Sequence, residues 1–137
     1  ERRIPFADVF RGRMRLPPGE LLARVHVPAW ALAAKHAHIK KTTNEKIDYP
    51  LVNVTALFYG EELRAAFSGV CAQPLRSERM EAMLNERALC PAERAKKAVA
   101  ALPEPPHSDV EGTGGYRAFV LEHTLKKLLE DWENGSL

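Results

Sequence analysis

Cysteine is scarce in this chain, and that scarcity removes two architectures at once. Cys71 and Cys90 are its two thiols, nineteen positions apart, with no CxxC spacing and no histidine cluster beside them. Neither a disulfide framework nor a zinc site is indicated, and two buried, reduced cysteines are expected. An excess of charge of one sign is also lacking. Twenty basic residues against eighteen acidic ones leave a formal charge of +2 over 137 residues. The basic residues are scattered, so the footprint of a nucleic-acid or membrane-surface binder is not supported. No apolar run approaches the roughly 20 residues that span a bilayer. The opening Glu1-Arg2-Arg3-Ile4-Pro5 lacks the apolar stretch of a signal peptide. The expectations are therefore no nucleic acid, no membrane and a cytoplasmic location.

What is present suffices for one folded core. A hydrophobic content of 45% lets a chain of this length bury a real interior, and a charged content of 28% keeps its surface wet. The absence of an initiator Met, and an opening that reads as mid-chain, suggest a fragment or a processed piece whose partner segment lies elsewhere.

Glu1 to Pro18 reads as an irregular lead-in, and Leu16-Pro17-Pro18-Gly19-Glu20 as a strong turn. From Glu20 to Val27, Leu21, Ala23, Val25 and Val27 alternate with Leu22, Arg24 and His26, the period of a half-buried strand ended by Pro28. The alanine-rich Ala29 to His36 is ambiguous, because alanine favours helix while its neighbours favour strand. It reads as a connection into a second strand, His36 to Thr42. A third strand, Leu51 to Tyr59, and a fourth, Glu62 to Ala72, are joined by a tight hairpin at Tyr59-Gly60-Glu61-Glu62.

After Gln73-Pro74 the period lengthens to about 3.6 and three helices are predicted. Ser77 can cap the first, with Met80, Met83 and Leu84 on its apolar stripe and Glu78, Arg79, Glu81 and Glu86 facing solvent. Pro91 can open the second, which carries Ala95, Ala98, Val99 and Leu102, and Pro103, Pro105 and Pro106 end it. The last runs from about Tyr116 to Trp132. Its stripe of Leu121, Leu125, Leu128, Leu129 and Trp132 should cover the sheet, and Glu122 is placed to pair with Lys126. Burying that stripe corresponds to roughly 8 to 15 kcal/mol of gross transfer free energy. The expected fold is α+β: a two-layer sandwich of about four mainly antiparallel strands followed by three helices.

Function is placed in the polar connection that follows the second strand. Lys40-Lys41-Thr42-Thr43-Asn44-Glu45-Lys46-Ile47-Asp48-Tyr49 leads straight into an apolar strand. A loop that delivers a lysine pair and an aspartate to the rim of a rigid strand is suited to an anionic ligand. The competing reading of Lys40 and Lys41 is a solvated surface pair. His36 and His38 share one strand face, but a metal site needs three or four ligands and no third is evident, so they read as exposed strand histidines. Gly112, Gly114 and Gly115 precede a helix without the spacing of a dinucleotide fingerprint.

Several strings in order resemble a known family. They are Leu16-Pro17-Pro18-Gly19-Glu20-Leu21-Leu22, then Val25-His26-Val27-Pro28, then Lys40 with Asp48 eight residues on and an apolar strand. Gly69-Val70, Pro74-Leu75-Arg76 and Tyr116-Arg117 follow. Each string is weak by itself. Together, from about Ile4 to Trp132, they resemble the C-terminal domain of the FAD-binding (medium) subunit of molybdenum hydroxylases, which include xanthine dehydrogenase and carbon monoxide dehydrogenase.

The resemblance implies a role beside FAD, in passing electrons from iron-sulfur clusters toward an acceptor. It implies that residues 1–19 lead in from a preceding FAD-binding domain, which makes most of the flavin contacts, and that residues 20–137 form the C-terminal domain. Molybdopterin and 2Fe-2S clusters would sit on partner subunits. It assigns flavin contact to Lys40, with Lys41 as the alternative match, and aligns Asp48 with the acid at the mouth of the strand. An ammonium there would give a charge-assisted hydrogen bond to a diphosphate or a flavin edge. Tyr116 and Arg117 would anchor the last helix to its neighbours. Thr42 to Glu45 stand where the family often has arginines, and Ile47 where a second acid sometimes occurs, which counts against a nicotinamide contact from this loop. Alone the piece is expected to be colourless and inactive, and no residue in it selects the substrate, which this family chooses at the molybdenum centre. The alternative function is a packing or assembly module with no direct flavin contact.

Overall fold

The computed structural model describes residues 2–10, 13–44 and 49–137. The chain divides into two compact units, residues 1–33 and 34–137. In the first unit, a one-turn helix α1 (Phe6–Val9) and a short helix α2 (Ala29–Ala33) are the helical elements. The Pro17-Pro18-Gly19-Glu20 turn is closed by the Glu20 N–H donating to the Pro17 carbonyl at 3.0 Å. Alanine preference decides the ambiguous stretch, which is helical over Ala29–Ala33.

The strand expected over Glu20 to Val27 is corrected: these residues form no strand, and no described strand pairs with them. The side chains meant to be buried stand in solvent, Leu21 at 77%, Val25 at 60% and Val27 at 57% exposure. Alternation makes a segment fit for a sheet, but a strand exists only when a neighbour takes its backbone hydrogen bonds.

The second unit is an α+β sandwich, as expected. Its sheet runs in the order β1 (Lys35–Thr42), β2 (Pro50–Tyr59), β3 (Glu62–Ser68), β4 (Leu75–Arg76), antiparallel throughout. The β2–β3 hairpin turns at Gly60, whose φ of +60° supplies the left-handed step such a turn needs. The strand expected to reach Ala72 stops at Ser68, because Gly69 adopts φ +80° and turns the chain out of the sheet. Leu75 and Arg76 then return to pair with Phe67 and Ala66, so the four strands are not the four expected.

Three helices follow: α3 (Glu78–Leu84), α4 (Pro91–Ala100) and α5 (Gly114–Glu133). Ser77 caps α3 by accepting from the Met80 N–H at 3.3 Å, and Pro91 opens α4. Thr113 caps α5, accepting from the Tyr116 N–H at 3.2 Å. The core joins Val52, Val54, Ala56 and Phe58 of β2 and Leu63, Ala65 and Phe67 of β3 to Met80, Leu84, Ala95 and Ala98. Leu121, Leu125, Leu128 and Leu129 of α5 close it. Trp132 packs on Phe58 with ring centroids 4.8 Å apart. Lys126 stands 3.7 Å from Glu130 rather than pairing with Glu122. Cys71 is buried as expected, but Cys90 is exposed, because it occupies the N-terminal boundary of α4.

Candidate functional site

Strand geometry separates the two lysines. Antiparallel register sets Lys40 opposite Asn53 and Lys41 opposite Val52, and successive side chains point to opposite faces. Lys40 therefore shares a face with His36, His38, Asn53 and Thr55, whereas Lys41 shares the helix-covered face with Ala37 and Ile39. Both lysines are exposed. Asp48 lies outside the described residues, so its distance to Lys40 is not part of this geometry.

The face that carries Lys40 is polar, and within the second unit no described helix covers it. His38 Nδ1 and Thr55 Oγ1 share a hydrogen bond of 2.8 Å. Asn53 sits between Lys40 on β1 and Ser68 on β3, and its Oδ1 is buried without a hydrogen-bond partner among the described residues. A buried acceptor left unmade costs about 1–3 kcal/mol, so it favours a donor arriving from outside. Among the described residues, no carboxylate lies within ion-pair distance of Lys40. No group of three or more His, Cys, Asp or Glu among them could hold a metal ion, and His36 and His38 are surface residues.

The connection after β1 is tied to the far end of the unit. Thr43 Oγ1 donates to the Glu111 carbonyl at 3.1 Å. Glu111 belongs to a turn built on Asp109, whose Oδ1 accepts from the amides of Glu111 at 2.9 Å and Gly112 at 3.2 Å. Arg117, almost fully buried, holds this turn by donating from Nη2 to Asp109 Oδ1 at 2.5 Å. Its Nη1 donates to the carbonyls of Leu51 and Gly69, each at 2.6 Å. The Arg117 guanidinium holds the Asp109 carboxyl below the ordinary carboxylate range; burial opposes this and the two turn amides assist it. Arg117 thus anchors α5 to its neighbours, while Tyr116 is exposed.

Two buried charges escaped the sequence reading. Glu81, expected in solvent, is buried and accepts from the Ala65 N–H at 3.0 Å and from Arg76 Nε and Nη2 at 2.7 Å each. Arg94 is fully buried, donating to the Leu84 carbonyl at 2.7 Å from Nε and to Glu133 from Nη1. Arg94 lies on the same helical stripe as Ala95 and Ala98, a signal that could have found it. Glu81 gave no such sign, since its partners come from β3 and β4. Both are structural. A cavity of about 790 Å³ belongs to the first unit, is lined by residues between Arg2 and His26, and contains neither Lys40 nor Lys41.

Residues 37–132 match the CO dehydrogenase flavoprotein C-terminal domain. The chain belongs to that family, the class that the ordered strings around Lys40, Gly69 and Tyr116 pointed to. Its fold is similar to that of quinoline 2-oxidoreductase from Pseudomonas putida 86, with a TM-score of 0.60 and 20% sequence identity over 75% of this chain. The match takes in 38% of the length of that chain. Among curated proteins, no relative matches the sequence. No described helix is long and apolar enough to cross a membrane.

Proposed function

We propose that this chain is the C-terminal part of the flavin subunit of a molybdenum hydroxylase. In this reading residues 1–19 lead in from a preceding FAD-binding domain, and residues 20–137 close one side of the FAD site. Membership of the CO dehydrogenase flavoprotein family supports the reading. The observation that carries it is the exposed Lys40 beside Asn53, an acceptor buried without a partner among the described residues.

These residues fit an FAD edge. Lys40 would hold an anionic part of the cofactor, and Asn53 would accept a hydrogen bond from a ring or sugar donor. Asp48 completes the proposed contact set, and Lys41, on the opposite strand face, is the alternative to Lys40. FAD, when bound, supplies the electron relay between iron-sulfur clusters and an external acceptor. This chain contributes binding, orientation and exclusion of water from one side. The iron-sulfur and molybdopterin centres would lie on partner subunits of a xanthine dehydrogenase-type complex in the cytoplasm.

The test joins the chain to its preceding domain and compares flavin occupancy, read from the visible spectrum, with that of the Lys40→Ala variant. Reduced occupancy supports flavin contact. Full occupancy in the variant sinks it and favours a packing or assembly module instead.

A further inference from the structure

The hydrogen bond from Thr43 to the Glu111 carbonyl joins the end of β1 to a turn 68 positions later in sequence. That turn is specified by side-chain hydrogen bonds. Asp109 organises it through two backbone amides, and Arg117 fixes Asp109 while gripping the backbone of Leu51 and Gly69. Leu51 opens the apolar run of β2, so Arg117 secures the strand into which the Lys40 connection leads. Thr43 secures the strand from which it departs. Thr43 and Leu51 are thereby both tied to one guanidinium, Leu51 directly and Thr43 through Asp109 and Glu111.

We infer that Thr43 is a positioning residue for the flavin site, coupling the Lys40 end of β1 to the clamp formed by Arg117 and Asp109. This rests on the proposed flavin contact of Lys40. The physical argument is one of preorganisation. Lys40 sits on an edge strand, paired on one side alone, and its backbone three residues from Thr43 would otherwise depend on the β1–β2 ladder, which already slips register between Lys41 and Thr42. A hydroxyl bond to a rigid turn removes that freedom before the ligand arrives, which lowers the ordering cost of binding. Thr43 is exposed, so the bond is poorly placed to contribute to the core and well placed to set loop position.

The experiment uses the complete flavin subunit, with FAD affinity measured by fluorescence titration and apoprotein stability by thermal denaturation. Thr43→Val removes the donor at nearly constant shape, Thr43→Ser restores it, and Lys40→Ala serves as the benchmark. The expected result is an FAD Kd raised about three- to tenfold in Thr43→Val, the effect of one hydrogen bond, with Thr43→Ser near the parent and the melting temperature unchanged. Parent-like affinity in Thr43→Val beside a weakened Lys40→Ala overturns the inference and leaves the flavin reading standing. A Thr43→Val loss that Thr43→Ser does not rescue, or that tracks a lower melting temperature, also overturns it. An unaffected Lys40→Ala overturns the flavin contact itself, and this inference with it.

Discussion

The Leu51 carbonyl oxygen lies where a side chain at Gly69 would begin: a Cβ there would stand 2.6 Å from it. The same oxygen accepts from Arg117, so it cannot retreat without breaking a buried charge-assisted bond. Gly69 also holds φ +80°, a conformation that costs an L-residue roughly 1–2 kcal/mol before any contact is counted. Gly69→Ala should therefore destabilise the chain by more than about 2 kcal/mol. A denaturant midpoint equal to that of the parent would refute the close packing of Gly69 against β2.

Glu81 offers a second test, because three donors converge on it. Glu81→Ala leaves the Ala65 N–H buried beneath α3 without its acceptor and deprives Arg76 of its partner. The expected loss is about 1–3 kcal/mol, the cost of one unsatisfied buried donor. Hydrogen exchange should show the Ala65 amide losing protection. An unaltered exchange rate there would count against the buried position of this carboxylate.

Acid should dissolve the Arg117 clamp. The Asp109 carboxyl is held below its ordinary value of 3.8, chiefly by Arg117. A group whose folded pKa is depressed stabilises the fold above its unfolded pKa, and loses that contribution as pH falls through the folded value. The stability difference between the parent and Asp109→Asn should therefore be present near neutral pH and shrink in acid below 3.8. A difference that is constant with pH would remove Asp109 from the clamp.

The two thiols should differ sharply in reactivity. Burial, helped by the negative charge of Glu104, pushes the Cys71 thiol up, and its Sγ stands 3.6 Å from the Glu104 carbonyl. Cys90 is exposed. Since the thiolate is the reactive form, alkylation of the native chain should label Cys90 quickly and Cys71 only after unfolding, as peptide mapping by mass spectrometry would report. Equal labelling rates would contradict the buried position of Cys71.

Much of this architecture was legible in order of sequence because its causes are local. Ser77 and Pro91 mark helix starts through bonds made or forgone within one turn. Gly60 marks a hairpin through its own φ, and the leucines of α5 mark a buried stripe through helical period alone. The Lys40 connection was legible as a candidate site for the same reason: a polar run abuts an apolar strand. Which lysine faces which side followed only from the register of β1 on β2.

The amino-acid order by itself determined the α+β class, the hairpin, the three helices α3 to α5 of the second unit and the family. Tertiary structure alone decided that Glu20 to Val27 stays unpaired, that Leu75-Arg76 completes the sheet, and that Glu81 and Arg94 are interior charges. The reason is physical. Helical period and capping are satisfied within a few residues, whereas a strand or a buried charge depends on partners that arrive from distant positions, as Arg117 reaches Leu51 and Thr43 reaches Glu111.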